Sequence, residues 1–578
     1  MHFDLIIRHG LIADGTGSPP AVGDVAIKGG LIVEVGQVTG TASEELDATG
    51  LLVTPGFVDV HTHYDGQVTW SNVLAPSSGH GVTTVVTGNC GVGFAPVRPD
   101  DRQKLIKVME GVEDIPEVVM AAGIPWNWES FPDYMDSLKN RAFDIDVGVQ
   151  IGHSPLRVYV MGQRGVDHEP STDQDRAEMT QLVRDAINAG ALGVSTSRSV
   201  HHRSVDGQLA PSVTSEKAEL LALAEGLRQA DGGVFQLIPD PNADAGEEMT
   251  VVRDLARASG RPVSFTLLEF IDRLGTWHEM SRAIDEAQAE GLEVRGQVFP
   301  RPVGTLFGLD LSFHPYTTRP SCRAISHLPL EERVALMRDP LFKARVLAEE
   351  AVPDAQPAMN YMIGLAGSMY RLTDPVDYAP PPNMSMAALA KAAGSSLDDY
   401  LYDVLLEDDG RRVLYLPVAN FGGGTLESVR AMMAHPHTIL GLGDGGAHYG
   451  LVCDASFPTF ALTYWTRDVD ADQRFPVEWI VAELSRRPAE AVGLLDRGLI
   501  ARGMKADINL IDHEGLQLMA PHTRRDLPAN GRRLAQSAKG YVATLVNGEV
   551  TYRDGNATGA LPGRLVGRVG GGGTPQPL

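Results

Sequence analysis

Cysteine is scarce: Cys90, Cys322 and Cys453 are the only three in 578 residues. An odd number spread this far apart excludes a disulfide framework and suits a reducing compartment. Positive charge is outweighed, since 49 lysines and arginines against 74 aspartates and glutamates leave a formal net charge of −25. Such a surface repels phosphate backbones and anionic membranes, which argues against nucleic acid as a partner. No apolar run approaches the ~20 residues that span a bilayer, and the start of the chain lacks a basic segment leading into an apolar core. The expectation is a soluble, cytoplasmic protein without a membrane partner. What is present is 43% apolar residues, enough for a large core and more than one domain.

The first fifty residues read as short strands at 3–8, 11–13, 24–28 and 31–35, broken by Gly10, Gly15, Gly17, Gly29 and Gly30. That is the texture of a β-meander. A similar texture returns at 506–512 and 541–552, the latter with Asn547-Gly548, a pair suited to a type I′ hairpin turn. Between the two ends, apolar strands alternate with amphipathic helices. Eight strands are expected, at 58–60, 82–87, 146–151, 191–195, 233–238, 263–268, 292–299 and 438–442, and eight is the number of a parallel (β/α)8 TIM barrel. One helix is legible in detail: Met179, Leu182, Val183, Ala186 and Ile187 fall at helical spacing behind the N-cap candidates Ser171 and Thr172, with Gly190 as its stop.

The fold class expected is therefore α/β. Residues 54–499 form the barrel, 1–53 and 500–569 form a small β-sandwich domain from both chain ends, and 301–436, too long for a βα connection, is an inserted lid or subdomain over the barrel mouth. The Gly-rich tail 570–578 is expected to be disordered.

The first barrel strand runs into Asp59-Val60-His61-Thr62-His63. Alternation places i and i+2 on one face, so at the C-terminal end of a barrel strand both imidazoles point into the mouth, where they can converge on a metal. A bare His-x-His is more often a polar surface turn; its context decides. The second strand ends in Gly88-Asn89-Cys90-Gly91, where the thiol is either a ligand or an inert buried side chain. His153 and Arg157, after the third strand, either line the pocket or brace its loop. The eighth strand leads into Gly443-Asp444-Gly445-Gly446-Ala447-His448, and an aspartate there suits proton transfer to and from a reacting water.

Thr54-Pro55-Gly56-Phe57-Val58-Asp59-Val60-His61-Thr62-His63, following a β-meander that ends in Asp47-Ala48-Thr49-Gly50, resembles the opening signature of the amidohydrolase superfamily. The Gly88–Gly91 stretch with Phe94-Ala95-Pro96, the run Gly152-His153-Ser154-Pro155-Leu156-Arg157, and the later Leu484-Ser485-Arg486-Arg487-Pro488-Ala489-Glu490-Ala491 are similar to the N-acyl-D-amino-acid deacylase branch. The resemblance implies a zinc-dependent hydrolase with His61, His63, Cys90 and Asp444 as metal ligands and Asp444 as the catalytic carboxylate. Cys90 would replace a carboxylated lysine, in agreement with a fourth strand, Gly190 to Ser197, that has no lysine. One Zn²⁺ is expected, with a second ion or another divalent metal left open.

The sequence departs from that branch where strands five and six should each supply a metal histidine. Strand five ends in Gln236-Leu237-Ile238-Pro239 and strand six in Thr266-Leu267-Leu268-Glu269, so that Gln236 or Glu269 is left as an oxygen ligand. The loop Arg198 to Gly207 is rich in polar groups; it is either an exposed loop or the source of His201 or His202 for the site and of Arg203 for a substrate carboxylate. Tyr316, in His314-Pro315-Tyr316, and His448 are further pocket candidates. The function expected is hydrolysis of N-acyl-D-amino acids by metal-activated water, on a small, carboxylate-bearing substrate, with a homo-oligomer left open. Its rivals are another carbon–nitrogen hydrolase of the superfamily, acting on a cyclic amide or carbamoyl compound, and a degenerate binding homologue.

Overall fold

The computed structural model describes residues 2–354, 357–567 and 576–577. Eight parallel strands form its centre: β1 (Phe57–Asp59), β2 (Val82–Thr87), β3 (Asp146–Gly152), β4 (Gly193–Ser197), β5 (Val234–Ile238), β6 (Val263–Thr266), β7 (Val294–Val298) and β8 (Thr438–Leu440), paired in that order. Each falls within two residues of its expected place. These strands were legible because a parallel barrel buries both faces, as the wholly buried β2, β3 and β4 show. The ladder leaves β1 and β8 at its two ends. They meet just past the strands, where the amide of Asp444 donates to the His61 carbonyl (3.1 Å) and that of His63 to the Gly445 carbonyl (2.8 Å).

Amphipathic helices surround the barrel. The helix Asp173–Asn188 starts at a capping box in which Thr172 and Asp175 satisfy each other's amides, and it ends before Gly190, whose φ of 113° lies where a side chain would strain the backbone.

The two chain ends build one branched nine-stranded sheet. Its axis is His2–Ile12, which pairs antiparallel with Ala21–Lys28 and parallel with both Thr41–Asp47 and Leu52–Pro55. Two separate strands were expected here. A bulge between Ile7 and Gly10, with His9 in the left-handed region, lets the strand continue through the glycine instead of breaking. Ile7, Val25 and Ile27 share a core with Ile508, Leu510 and Leu545, so strands from the two chain ends bury one common core. Asn547 and Gly548, both at positive φ, turn Tyr541–Val546 into Glu549–Arg553.

The floor of the barrel is tied to this sheet by buried charge. Asp146, the first residue of β3, accepts from Arg497 (2.6 Å) and from Lys505, and Arg497 also reaches the Thr84 hydroxyl (2.7 Å).

The long β7–β8 connection has its own core around Phe307, Tyr316, Tyr402 and Leu416, and a three-stranded antiparallel sheet of Val303–Phe307, Leu414–Ala419 and Tyr370–Arg371. Of the tail expected to be disordered, residues 570–575 and 578 lie outside the described residues, while Gln576–Pro577 pair with Val566–Gly567. Among the described residues no helix is long and apolar enough to cross a membrane.

Candidate metal centre

At the C-terminal mouth of the barrel, ligand atoms of His61, His63 and Cys90 lie within 4.8 Å of one another, all three side chains buried. His61 is aimed by Gln297 of β7, whose Oε1 lies 2.8 Å from Nδ1, and this leaves Nε2 facing Cys90 Sγ at 3.3 Å. Asp444 Oδ1 sits 3.6 Å from Nε2 of both His61 and His63. The local backbone is made for this convergence. A Cβ at Gly443 would stand 2.0 Å from Asp59 Oδ2, so only glycine lets the loop after β8 close on β1. Cys90 (φ 55°) and Asp444 (φ 46°) both hold the left-handed conformation, a cost typical of residues placed for function.

Burial lowers His61 to about 4 and His63 to about 3, so both imidazoles are neutral at pH 7 and free to ligate. The acids move the other way. Burial raises Asp444, and it raises Glu113 and the Cys90 thiol well above their ordinary values, helped in both by the neighbouring Asp444. Both ring nitrogens of His63 are buried without a hydrogen-bond partner among the described residues, and so is Glu113 Oε1. Neutral nitrogens, a thiol and crowded carboxyls, with the His63 nitrogens and Glu113 Oε1 unpaired among the described residues, fit a divalent cation of zinc type, which would draw the thiol and the carboxyls to their anionic forms.

Residues 44–552 match the amidohydrolase family. The chain belongs to the amidohydrolase family. A D-aminoacylase of Alcaligenes xylosoxydans xylosoxydans is 25% identical, over 98% of both chains. An uncharacterized protein of Mycobacterium tuberculosis is 28% identical, over 96% of this chain and 93% of its own. The structure of N-acyl-D-glutamate deacylase from Bordetella bronchiseptica, complexed with zinc and a phosphonate inhibitor, superposes with a TM-score of 0.62 at 21% identity, over 98% of this chain and 99% of that one. This amidohydrolase is a hydrolase of carbon–nitrogen bonds other than peptide bonds, similar to D-aminoacylase along almost its whole length.

The mouth opens into a cavity of about 580 Å³ whose lining includes His61, His63, Cys90 and Asp444, and also His201, His202 and His448. Four other candidates do not reach it. His153 lies between Thr196 Oγ1 and Glu219 Oε1, both at 2.8 Å, and Arg157 pairs with the same Glu219, so these two brace the loop. Arg203 donates Nε to the Val200 carbonyl (3.0 Å) and Nη1 to the Gly207 carbonyl (2.9 Å), which closes its own loop and keeps it out of the cavity lining. Tyr316 is buried in the core of the inserted segment, its hydroxyl on the Asp398 carbonyl. Nor do the oxygen ligands considered for strands five and six face the cavity freely: Gln236 Oε1 accepts from the Cys90 amide (3.3 Å) and Glu269 Oε1 from the Gly275 amide (3.0 Å).

The residue missed in the sequence is Glu113, the last of the helix Arg102–Glu113, whose Oε2 is 3.5 Å from Nε2 of both His63 and His448. A glutamate on a connecting helix, far from any strand end, carries no pattern that singles it out. The one available signal was that it falls on the buried face shared by Leu105, Ile106 and Met109, where an acid needs a reason.

The brace behind the site has a pH signature. Burial works to raise the Glu219 carboxyl, but the bonds from His153 and Arg157 override it and bring it down from an ordinary 4.5 to about 2. A folded value below the unfolded one means stability that is complete above pH 4.5 and lost as pH falls toward 2. Glu219→Gln is expected to destabilise the protein by about 3 kcal/mol at neutral pH, since it strands a buried arginine. The gap to wild type should narrow in urea unfolding repeated at about pH 3.5; an equal gap at both pH values would remove the carboxylate as its source.

Proposed function

We propose that this amidohydrolase removes the acyl group from N-acyl amino acids, of the D series by its likeness to the D-aminoacylase. The observation that carries the reading is the meeting of His61, His63, Cys90 and Asp444 on the wall of the cavity at the barrel mouth. A zinc-type cation held there by His61, His63 and Cys90, with Asp444, would polarise the amide carbonyl and make water a nucleophile near neutral pH. Asp444 Oδ1 takes the proton of the attacking water and hands it to the leaving nitrogen. The Gln297 bond fixes the His61 tautomer, so that Nε2 is the nitrogen presented to the site.

The walls sort substrates. Ile238, Leu268, Phe270, Met280 and Val418 make one side apolar, which suits a bulky acyl or side chain. Val303 and the helix Pro357–Gly364, through Tyr361 and Met362, bring the inserted segment over the cavity as a roof. Arg273 lines the cavity, donates only Nη1 to a backbone carbonyl, that of Ala243 (3.4 Å), among the described residues, and takes the substrate carboxylate in the place expected of Arg203. The rim also carries Asp240 and Asp272, and these favour a second reading, an amide without a free carboxylate.

Release of free amine from a panel of N-acyl D- and L-amino acids and cyclic amides separates the two. The expected result is turnover of N-acyl-D-amino acids with apolar side chains, together with loss of activity on chelation, and Arg273→Met should raise KM about tenfold with little change in kcat. Turnover of cyclic amides alone would move the function to the second reading. A protein that binds no zinc and turns over nothing would sink both.

A further inference from the structure

Strands β5 and β6 bring no histidine to the mouth, and Gln236 has its oxygen engaged by a backbone amide. Opposite Cys90, across His63, stands a carboxylate from outside the barrel strands. We infer that Glu113 is a metal ligand of this enzyme, that His448 holds its carboxylate in place, and that the pair serves where the histidines of β5 and β6 are missing.

The spacing is that of ligands. Donors bound tetrahedrally at roughly 2.0–2.3 Å from an ion stand roughly 3.3–3.8 Å from each other. Glu113 Oε2 stands 3.5 Å from His63 Nε2, inside that range, beside the mutually close ligand atoms of His61, His63 and Cys90. His63 Nε2 and Glu113 Oε1 are buried with no hydrogen-bond partner among the described residues, although the other carboxylate oxygen, Oε2, lies 3.5 Å from that nitrogen. A glutamate kept only for packing would cost several kcal/mol in such a place without a partner.

Glu113 is also held as ligands are held. Its carbonyl accepts from the His448 amide, and the next residue, Asp114, turns the chain at φ 50° and accepts from the Gly450 amide (3.0 Å). The end of this helix is thereby pinned to the loop that carries Asp444. Within the helix, Gly111 lies so close to the loop after β4 that a Cβ would stand 2.2 Å from the Ser204 carbonyl carbon. That polar loop acts as the buttress of the Glu113 helix.

The inference rests on the metal-dependent reading, and one experiment tests them separately. Metal-free wild type, Glu113→Gln, Glu113→Asp and His448→Asn are titrated with Zn²⁺ by calorimetry and with Co²⁺ by absorption. Glu113→Gln, which keeps the shape of the side chain, is expected to weaken binding on the order of 100-fold, and His448→Asn about tenfold. The Cys90 thiolate-to-cobalt band should persist in both, showing that the rest of the site is intact. Glu113→Asp should fall between wild type and the glutamine variant, and it supplies the same comparison should the glutamine variant fail to fold. Binding by Glu113→Gln as tight as that of wild type overturns the inference and leaves the deacylase reading standing. Wild type that takes up neither ion overturns both.

Discussion

Asn in place of Asp444 should cut kcat/KM about 10³-fold while leaving the fold intact. The residue receives and returns the proton of the reaction, and a carboxamide of the same shape can do neither. Asn is the informative substitution, because position 444 holds a φ of 46°, a conformation that Asn tolerates and most side chains do not. Burial already raises the Asp444 carboxyl, so the folded protein pays to ionise it and removal of the charge should not lower the melting temperature. His61, His63 and Cys90 remain to hold the ion, so the variant should still load at saturating zinc, with lower affinity than wild type. Steady-state kinetics beside elemental analysis and a thermal melt makes the check. A kcat/KM within tenfold of wild type in a metal-loaded variant would place the proton transfer elsewhere.

The parts of this protein legible in its sequence are those in which one local rule decides. The barrel strands are almost wholly buried, so apolar-rich stretches alternating with amphipathic helices marked their places, and the Asn547-Gly548 turn followed from backbone preference alone. That His61, His63, Cys90 and Asp444 come together at the mouth could be read because each follows a barrel strand, where the fold itself fixes direction. The rest depended on partners distant in sequence. His153 and Arg157 brace a loop because Glu219, more than sixty residues on, occupies both. Arg203 and Arg273 are alike in sequence and opposite in the fold: one closes its own loop, the other stands at the cavity rim. Glu113 reaches the metal centre from a helix whose direction is set by contacts with residues 203–205 and 448–450. A bulge, not a turn, carries the first strand past Gly10, and that choice is made by pairing with three other strands.

At the opposite end of the barrel, Arg497→Met is expected to destabilise the protein by about 3–5 kcal/mol, the usual result of removing one partner from a buried charge network. The guanidinium is almost wholly buried and reaches Asp146, Asp496 and Thr84. Burial pushes Asp146 up, and Lys505 and Arg497 more than reverse it, so that the carboxyl ends below its ordinary value. Without Arg497, Lys505 must balance both Asp146 and the buried Asp507. Burial has already pushed Asp507 up, with Asp146 adding to it. The urea midpoint should fall accordingly, and adding Asp146→Asn to Arg497→Met should recover part of the loss, because residues in one network do not add. A drop under about 1 kcal/mol would mean that water enters the floor and screens the charges. Activity per folded molecule should be unchanged at low temperature, since the network sits at the N-terminal ends of β2 and β3 and the reacting groups at the C-terminal ends. The two ends of one barrel then answer to different measurements: loss at the floor appears in the unfolding curve, and loss at the mouth in the rate.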